Sequence, residues 1–261
     1  MTIETQVESS LSLPRWPQRI RFVAAIALIY AGLHYVVGWF LPDRGPSAAR
    51  TLLGGWAPLA WIALFLFAKL GEAVAGEGKR FRGMLALLTA LGLWAFFGGT
   101  MDAWLIEQNV DPSKPYSGPY LALMIDYLAL FLIIAMSFDL GHRPLDKLLR
   151  DQQGWLAMLV EVVVAGLAIW FLMGPRNQGT YHGQVIFAVG VGFWLATQAS
   201  MYVCPDQKPF HRLLGPVALG ILGLLWAVAS PAPAPPYDHL NNIPAQNLVR
   251  PLPIEMVAVG M

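Results

Sequence analysis

The sequence contains little cysteine and little charge. Its single cysteine, Cys204, has no partner in the same chain, which excludes an internal disulfide framework and a CxxC metal or redox site. Charged residues make up 13% of the 261 residues, about half of the roughly 25% that is usual in soluble domains. The net charge of +1 gives no concentrated basic surface, so nucleic acid is excluded as a partner.

Motifs that would identify a reaction are also absent. The sequence has no HExxH, GxSxG or Walker motif, and no DxxD pair of carboxylates that could hold a diphosphate through Mg²⁺. The last apolar stretch has no lysine for a retinal Schiff base, and only His34 lies well inside an apolar stretch, which argues against a bis-histidine haem. We therefore assign no cofactor and expect no redox centre.

Apolar residues are abundant, at 56% of the chain, and the mean hydropathy is +0.53. A helix needs roughly 20 mostly apolar residues to cross a bilayer. Such segments must be helical because lipid offers no partner to backbone polar groups. The sequence therefore predicts an all-α integral membrane protein in which residues 20–230 form a bundle of about seven transmembrane helices. The predicted spans are residues 22–41, 56–74, 83–104, 119–138, 155–173, 182–203 and 213–230.

Lysine and arginine alternate between the two sides of these spans. Eleven of them flank the predicted inner ends and five flank the outer ends. Because basic residues concentrate in cytoplasmic loops, we expect residues 1–19 to be a cytoplasmic N-terminal segment. The C-terminal residues are then external. We expect the protein in a bacterial cytoplasmic membrane.

Residues 231–261 differ in composition from the spans. Pro231, Pro233, Pro235 and Pro236 disfavour helix and favour an extended form. We expect an external Pro-rich tail, either disordered or tied to neighbouring chains or to the protein's own outer surface. The expected partners are the lipid bilayer and other membrane protein subunits, which this tail would contact.

Four ionisable residues are predicted in the outer third of the membrane: His34, Asp102, Asp126 and His182. With a rise of about 1.5 Å per residue, Asp126 and His34 each lie about 10 Å below the outer ends of their helices. His34, Asp102 and His182 are candidate metal ligands, since imidazoles and carboxylates bind Zn, Fe or Cu. Alternatively, Asp126 is the centre of a proton or polar-substrate site, or it hydrogen-bonds between helices.

A second ionisable group is predicted nearer the inner side and contains Lys69, Glu72 and Glu161. A Lys69–Glu161 ion pair between helices would neutralise both residues. Alternatively, each side chain reaches the inner interface on its own. In the sixth span, the small residues Ala188, Gly192, Ala196 and Ser200 share one face, which predicts close helix packing there.

Three functions remain open from the sequence. The first is an accessory or scaffold subunit of a larger membrane complex, without its own redox centre. The second is an intramembrane enzyme acting on a terpenoid, quinone or lipid, with Asp126 or Glu161 as catalytic general acid. The third is a transporter of protons or a small solute, although the sequence has no internal repeat of the kind common in transporters.

Overall fold

The structure is a computed structural model that describes residues 15–41, 48–75, 80–108, 117–138, 151–173, 181–205, 209–229 and 247–261. The first helix, α1, covers Arg15–Ala31 and continues as a π-helical stretch, Gly32–Val37, and the single turn α2, Gly38–Phe40. It is followed by α3 (Ala57–Ala75), α4 (Arg80–Phe96), α5 (Met101–Glu107), α6 (Gly118–Ser137) and α7 (Gln152–Leu172). The last elements are α8 (His182–Val203), α9 (Pro209–Ala229), a 3₁₀ turn at Asn247–Val249, and α10 (Pro253–Gly260).

Within the described ranges, six helices are long and apolar enough to cross a membrane, as expected of an all-helical membrane protein. They agree with six of the predicted spans to within a few residues, apart from the first, whose helix begins seven residues earlier than predicted. The third predicted span, residues 83–104, is not one continuous helix. Its apolar helix ends at Phe96, and a break at residues 97–100 separates it from α5. Seven full spans are therefore not confirmed.

Contacts between helices define two ends of the bundle. At one end Arg82 Nη2 donates to Gln18 Oε1 over 2.9 Å, and Gly83 packs beside Phe138. We call this the arginine end. At the opposite end Ala49 pairs with Gly99, and Gln184 Nε2 donates to the Met173 carbonyl over 2.7 Å. We call this the tail end. The prediction that the tail end faces outside stays a prediction.

The backbone at the tail end is irregular. Residues 48–56 fold back between α2 and α3 through a turn in which Gly54 and Gly55 have φ angles of 83° and 51°, a region that glycine enters without steric cost. The Trp56 amide donates to the Phe40 carbonyl over 2.8 Å, and the Gly99 amide donates to the Ala48 carbonyl over 2.6 Å. The break after α4 is thus paired with the fold-back segment.

The last residues of the sequence lie inside the bundle. Helix α10 packs against α4, α6, α8 and α9, and residues 252–257 are buried. A Cβ atom on Gly260 would lie 2.7 Å from the Phe193 ring, so the helix approaches α8 closely. This placement differs from the expected external tail for residues 247–261, because Pro253 begins an apolar helix there instead of extending the chain. Residues 231–246 lie outside the described residues.

Regular helix packing dominates between the two ends of the bundle. The face of small residues on α8 is confirmed as a packing face: Ala188, Gly192, Ala196 and Ser200 are all buried. A Cβ atom on Gly192 would lie 2.9 Å from Ile169 Cγ1 of α7. Small side chains therefore permit extensive packing between α7 and α8.

Candidate functional site

Asp126 is fully buried in α6 and holds the fold-back segment in place. Its Oδ1 accepts a hydrogen bond from the Leu52 amide over 3.1 Å, and the Leu52 carbonyl accepts from Trp61 Nε1 of α3 over 2.9 Å. Asp126 Oδ2 has no hydrogen-bond partner among the described residues. In place of the predicted hydrogen bond between helices, Asp126 thus binds the backbone of residues 48–56, and one of its carboxylate oxygens stays available.

His182 and Glu255 form the second polar contact of the tail end. His182 Nδ1 lies 3.0 Å from Glu255 Oε1, and its Nε2 contacts the Gly98 carbonyl. Glu255 Oε2 accepts from the Leu252 amide over 2.7 Å, which caps the first turn of α10. The pair therefore joins the end of α4, the start of α8 and the start of α10.

Tyr127 lies in the same region as these two groups. Its side chain is buried. Its ring packs directly on Gly220 of α9, where a Cβ atom would overlap it. We call Asp126, Tyr127, His182 and Glu255 the tail-end cluster.

The predicted metal ligands are not brought together. His34 is exposed on the π-helical stretch, with its ring centroid 6.2 Å from that of Tyr30 and 4.8 Å from that of Tyr35. Asp102 lies in the first turn of α5, and His182 is engaged with Glu255. No group of three or more His, Cys, Asp or Glu side chains able to hold a metal occurs in the part of the chain that the structure describes. The reason is that depth along separate helices does not specify which faces turn toward each other.

Glu161, the second predicted catalytic carboxylate, lies buried between three helices. Its Oε1 accepts from Ser200 Oγ of α8 over 3.0 Å, and its Oε2 lies beside Gly215 of α9. The predicted ion pair with Lys69 is wrong. Lys69 Nζ instead lies 3.0 Å from Glu72 Oε2, three residues along the same helix, while Arg212 is near enough to act on Glu161 electrostatically.

Two arginines, one buried and one half-buried, were not anticipated as interior residues. Arg250 is 1% exposed, and its Nη1 donates to the Met173 carbonyl over 3.0 Å. The Arg50 guanidinium lies 5.5 Å from the centroid of the Trp94 ring, a cation–π distance. In the sequence analysis both arginines are counted among the five basic residues that flank the outer ends of the predicted spans.

Glu255 is the functional residue that sequence reasoning missed, although a signal for it exists. Pro253 stands at the first position of a helix and Glu255 at the third, a combination typical of helix starts. Because several prolines lie nearby, the sequence analysis predicts an extended chain at this position instead of a helix.

An apolar groove of about 470 Å³ opens between α3 and α6. Trp61 and Phe65 line it from α3, and Ala129, Ile133 and Met136 line it from α6. Asp126 lies three residues from Ala129 and seven from Ile133, so it belongs to the same helix face. Trp61 also bonds the segment that holds Asp126. The groove thus begins about one helical turn from the carboxylate.

No family model, curated protein or solved structure matches this chain.

Proposed function

We propose that this chain is an accessory or scaffold subunit of a larger assembly in a bacterial cytoplasmic membrane and has no redox centre of its own. The observation that carries this proposal is the position of residues 247–261. They fill the tail end of the chain's own bundle and contribute Arg250 and Glu255 to internal hydrogen bonds. Interior space that a ligand or a redox group would need is there occupied by protein.

A stripe on α8 supports contact with another membrane protein. Phe187, Trp194 and Met201 are spaced seven residues apart, and they are 59%, 62% and 37% exposed. Trp194 lies about 18 Å from the start of its helix at a rise of 1.5 Å per residue, near the middle of a bilayer. Tryptophan ordinarily concentrates at the two membrane interfaces, so a mid-depth exposed ring fits a protein neighbour better than lipid.

The test begins with the mass of the native particle. The chain would be extracted from its own membrane in mild detergent and examined by native mass spectrometry. We expect a stoichiometric particle much larger than the 28.6 kDa chain. A bare monomer or homo-oligomer would contradict the proposal.

A photo-crosslinking amino acid then tests the stripe. Placed at Trp194, it should give one discrete crosslinked product with another subunit of that particle. The matched control is Leu66 of α3, which is 58% exposed and near the middle of its helix, and which should crosslink to lipid. Equal protein crosslinking from both positions would argue against a specific contact through α8.

One observation favours a second function, an intramembrane enzyme acting on a lipophilic substrate. Asp126 Oδ2 lacks a described hydrogen-bond partner, and the apolar groove begins one turn away on the same helix face. A substrate chain in the groove could bring a reacting group to this oxygen, with Asp126 as general acid. Glu161 is the weaker of the two candidates because Ser200 already engages it.

Lipid profiles of cells would decide this alternative. Cells that make the wild-type chain, Asp126→Asn or Glu161→Gln would be compared by mass spectrometry of total lipids and isoprenoids. The enzyme function predicts a product that disappears with Asp126→Asn, at equal protein level, and persists with Glu161→Gln. Identical profiles for all three would remove it.

A further inference from the structure

The first apolar helix carries an imidazole and a phenol on the outside of the bundle. His34 and Tyr35 are both exposed, Tyr35 to 72%. The helix Pro17–Phe40 has 24 residues, so it is about 36 Å long, and His34 lies about 9 Å from its end at Phe40. The hydrocarbon core of a bilayer is about 30 Å thick. Both side chains therefore face outward within the depth of that core.

These two side chains lack hydrogen bonds in the part of the chain that the structure describes. The His34 ring contacts aromatic rings, with its centroid 6.2 Å from that of Tyr30 and 4.8 Å from that of Tyr35. By contrast, the exposed Thr89 hydroxyl donates to the Leu85 carbonyl of its own helix over 2.7 Å. A polar group left unpaired in lipid costs free energy, and ionisable residues within spans almost always face protein or a water-filled cavity. This face therefore calls for a neighbour that brings polar groups.

The backbone at the same place departs from a regular α-helix. Residues 32–37 form a π-helical stretch, a rare feature that is frequent at functional sites. Leu33 and Val37 of this stretch are buried, whereas His34 and Tyr35 are exposed. The next residues outside the described ranges begin at position 42, about 10 Å further along the helix axis than Tyr35.

The depth and chemistry of this face fit a second copy of the chain. Copies of one chain insert into a membrane in the same orientation, so a two-fold axis along the membrane normal brings together residues of equal depth. His34 and Tyr35 differ in depth by only about 1.5 Å. A neutral imidazole and a phenol each offer both a donor and an acceptor. His34 of each copy can therefore bond to the partner's Tyr35, in two bonds that are equivalent by symmetry.

The neighbouring surface of α1 permits the close approach that these bonds need. Ala31 and Ala27 are exposed about one and two turns from His34, toward the arginine end. Small side chains on a lipid-facing helix let a second helix come near.

We propose that two copies of this chain pair through α1, with His34 of each copy hydrogen-bonded to the partner's Tyr35. This face is separate from the stripe on α8, because α1 packs on α3 and α4, whereas α8 packs on α7 and α10. The stripe remains open to a different subunit. The pairing therefore goes beyond the proposed larger assembly, which would contain two copies of the chain.

Disulfide crosslinking in the native membrane tests the pairing. Ala31→Cys would be introduced into the full-length chain together with Cys204→Ala, which removes the buried native cysteine, and an oxidant would be added to intact membranes. A disulfide needs Cβ atoms about 3.5–4.5 Å apart, so we expect a product with the mass of two copies. No product, or a product with a different protein, would overturn the proposal.

The matched control is Leu66→Cys on α3 in the same background. Leu66 is 58% exposed. It lies at about the depth of Ala31, because Gly32 packs directly on Phe67. It should give no dimer, and equal crosslinking from both positions would show random collision instead of a specific contact.

Conservative variants test the hydrogen bonds themselves. His34→Phe and Tyr35→Phe keep an aromatic ring and remove the polar atoms, and dimerisation would be measured by single-molecule photobleaching of the full-length chain in liposomes. Each variant removes both symmetric bonds and should weaken dimerisation about tenfold, since one interhelical hydrogen bond contributes roughly threefold. The double variant should be no weaker than either single variant, because all three lack the same bonds. Unchanged dimerisation, or an additional loss in the double variant, would overturn the assignment of the bonds.

Tyr202→Phe is the control for these variants. It removes the hydroxyl of a side chain that is 93% exposed on α8, away from the proposed face, and should leave dimerisation unchanged. A loss equal to that of Tyr35→Phe would overturn the specific role of α1. Each variant would first be checked for wild-type elution from a size-exclusion column and for an unchanged thermal transition.

The number of copies in the native particle separates this proposal from the proposed function. A larger particle with two copies supports both. A larger particle with one copy overturns the pairing and leaves the proposed function standing. A bare homodimer supports the pairing and contradicts the larger assembly.

Discussion

The two ends of this bundle satisfy the hydrogen-bonding groups of their backbone in different ways. At the tail end the backbone departs from helix, and side chains bind its polar groups: Asp126 takes the Leu52 amide, Glu255 takes the Leu252 amide, and Arg250 binds the Met173 carbonyl. At the arginine end long helices satisfy their own backbone. Small residues there, such as Gly83 beside Glu72 and Phe138, then let these helices meet.

The difference shows what an irregular backbone segment requires inside an apolar bundle. An unpaired amide or carbonyl away from water costs free energy, so any break in a helix needs a partner. Polar side chains at the tail end supply these partners. The buried ionisable residues there thus have a structural role that does not depend on catalysis.

The largest expected effect comes from removing Glu255. Glu255→Leu leaves the Leu252 amide and His182 without their partner and should lower the free energy of unfolding by about 3 kcal/mol. Unfolding by SDS in mixed micelles would measure it. Glu72→Leu is the control at the other end, because a partly exposed pair within one helix, such as Lys69–Glu72, contributes about 1 kcal/mol or less. Equal losses would contradict the comparison between the ends.

A smaller effect is expected where Tyr127 meets α9. Gly220→Ala places a methyl group into the Tyr127 ring, and such overpacking costs about 1–3 kcal/mol. Gly183→Ala, at a helical position with no atom within 4 Å of the added Cβ, should instead stabilise by up to about 1 kcal/mol through helix propensity. The same unfolding measurement compares the two. A neutral Gly220→Ala would mean that the tail-end cluster adapts to added volume.

A bond in the arginine half provides the next comparison. Ser200→Ala removes the donor to the buried Glu161 carboxylate and should cost about 1–2 kcal/mol. Thr89→Ala removes a hydroxyl that only contacts the Leu85 carbonyl at an exposed position, and such surface changes stay within about 0.5 kcal/mol. If both variants change the free energy of unfolding by the same amount, the hydrogen bond from Ser200 does not stabilise the buried Glu161 carboxylate.

The smallest effect is expected for Asp126→Asn. The amide oxygen can still accept the Leu52 amide, so the free energy of unfolding should change by less than about 1 kcal/mol. Asp126→Leu removes the acceptor and should cost about 1–3 kcal/mol more. Similar losses for both variants would show that the charge of Asp126, and not its hydrogen bond, holds residues 48–56.

Some pairings could be anticipated from the sequence and others could not. The small-residue face of α8 follows from helical spacing and is confirmed. The Lys69–Glu161 pair was inferred from charge and depth, and it is wrong because Glu72 lies on the same helix face one turn away. Residue spacing along one helix was thus a better predictor of contacts than the charge and depth of residues on different helices.

The sequence by itself determined that this protein is a bundle of apolar helices, because a chain with 13% charged residues has too few polar groups to cover a surface facing water. It also determined where six of the spans lie, since apolar runs of about 20 residues have few alternatives. Only the tertiary structure decided that residues 247–261 enter the bundle, that Glu255 meets His182, and that Asp126 holds Leu52. These contacts join residues 73 or 74 positions apart on elements whose rotation and approach are set by packing, which periodicity along one helix does not encode.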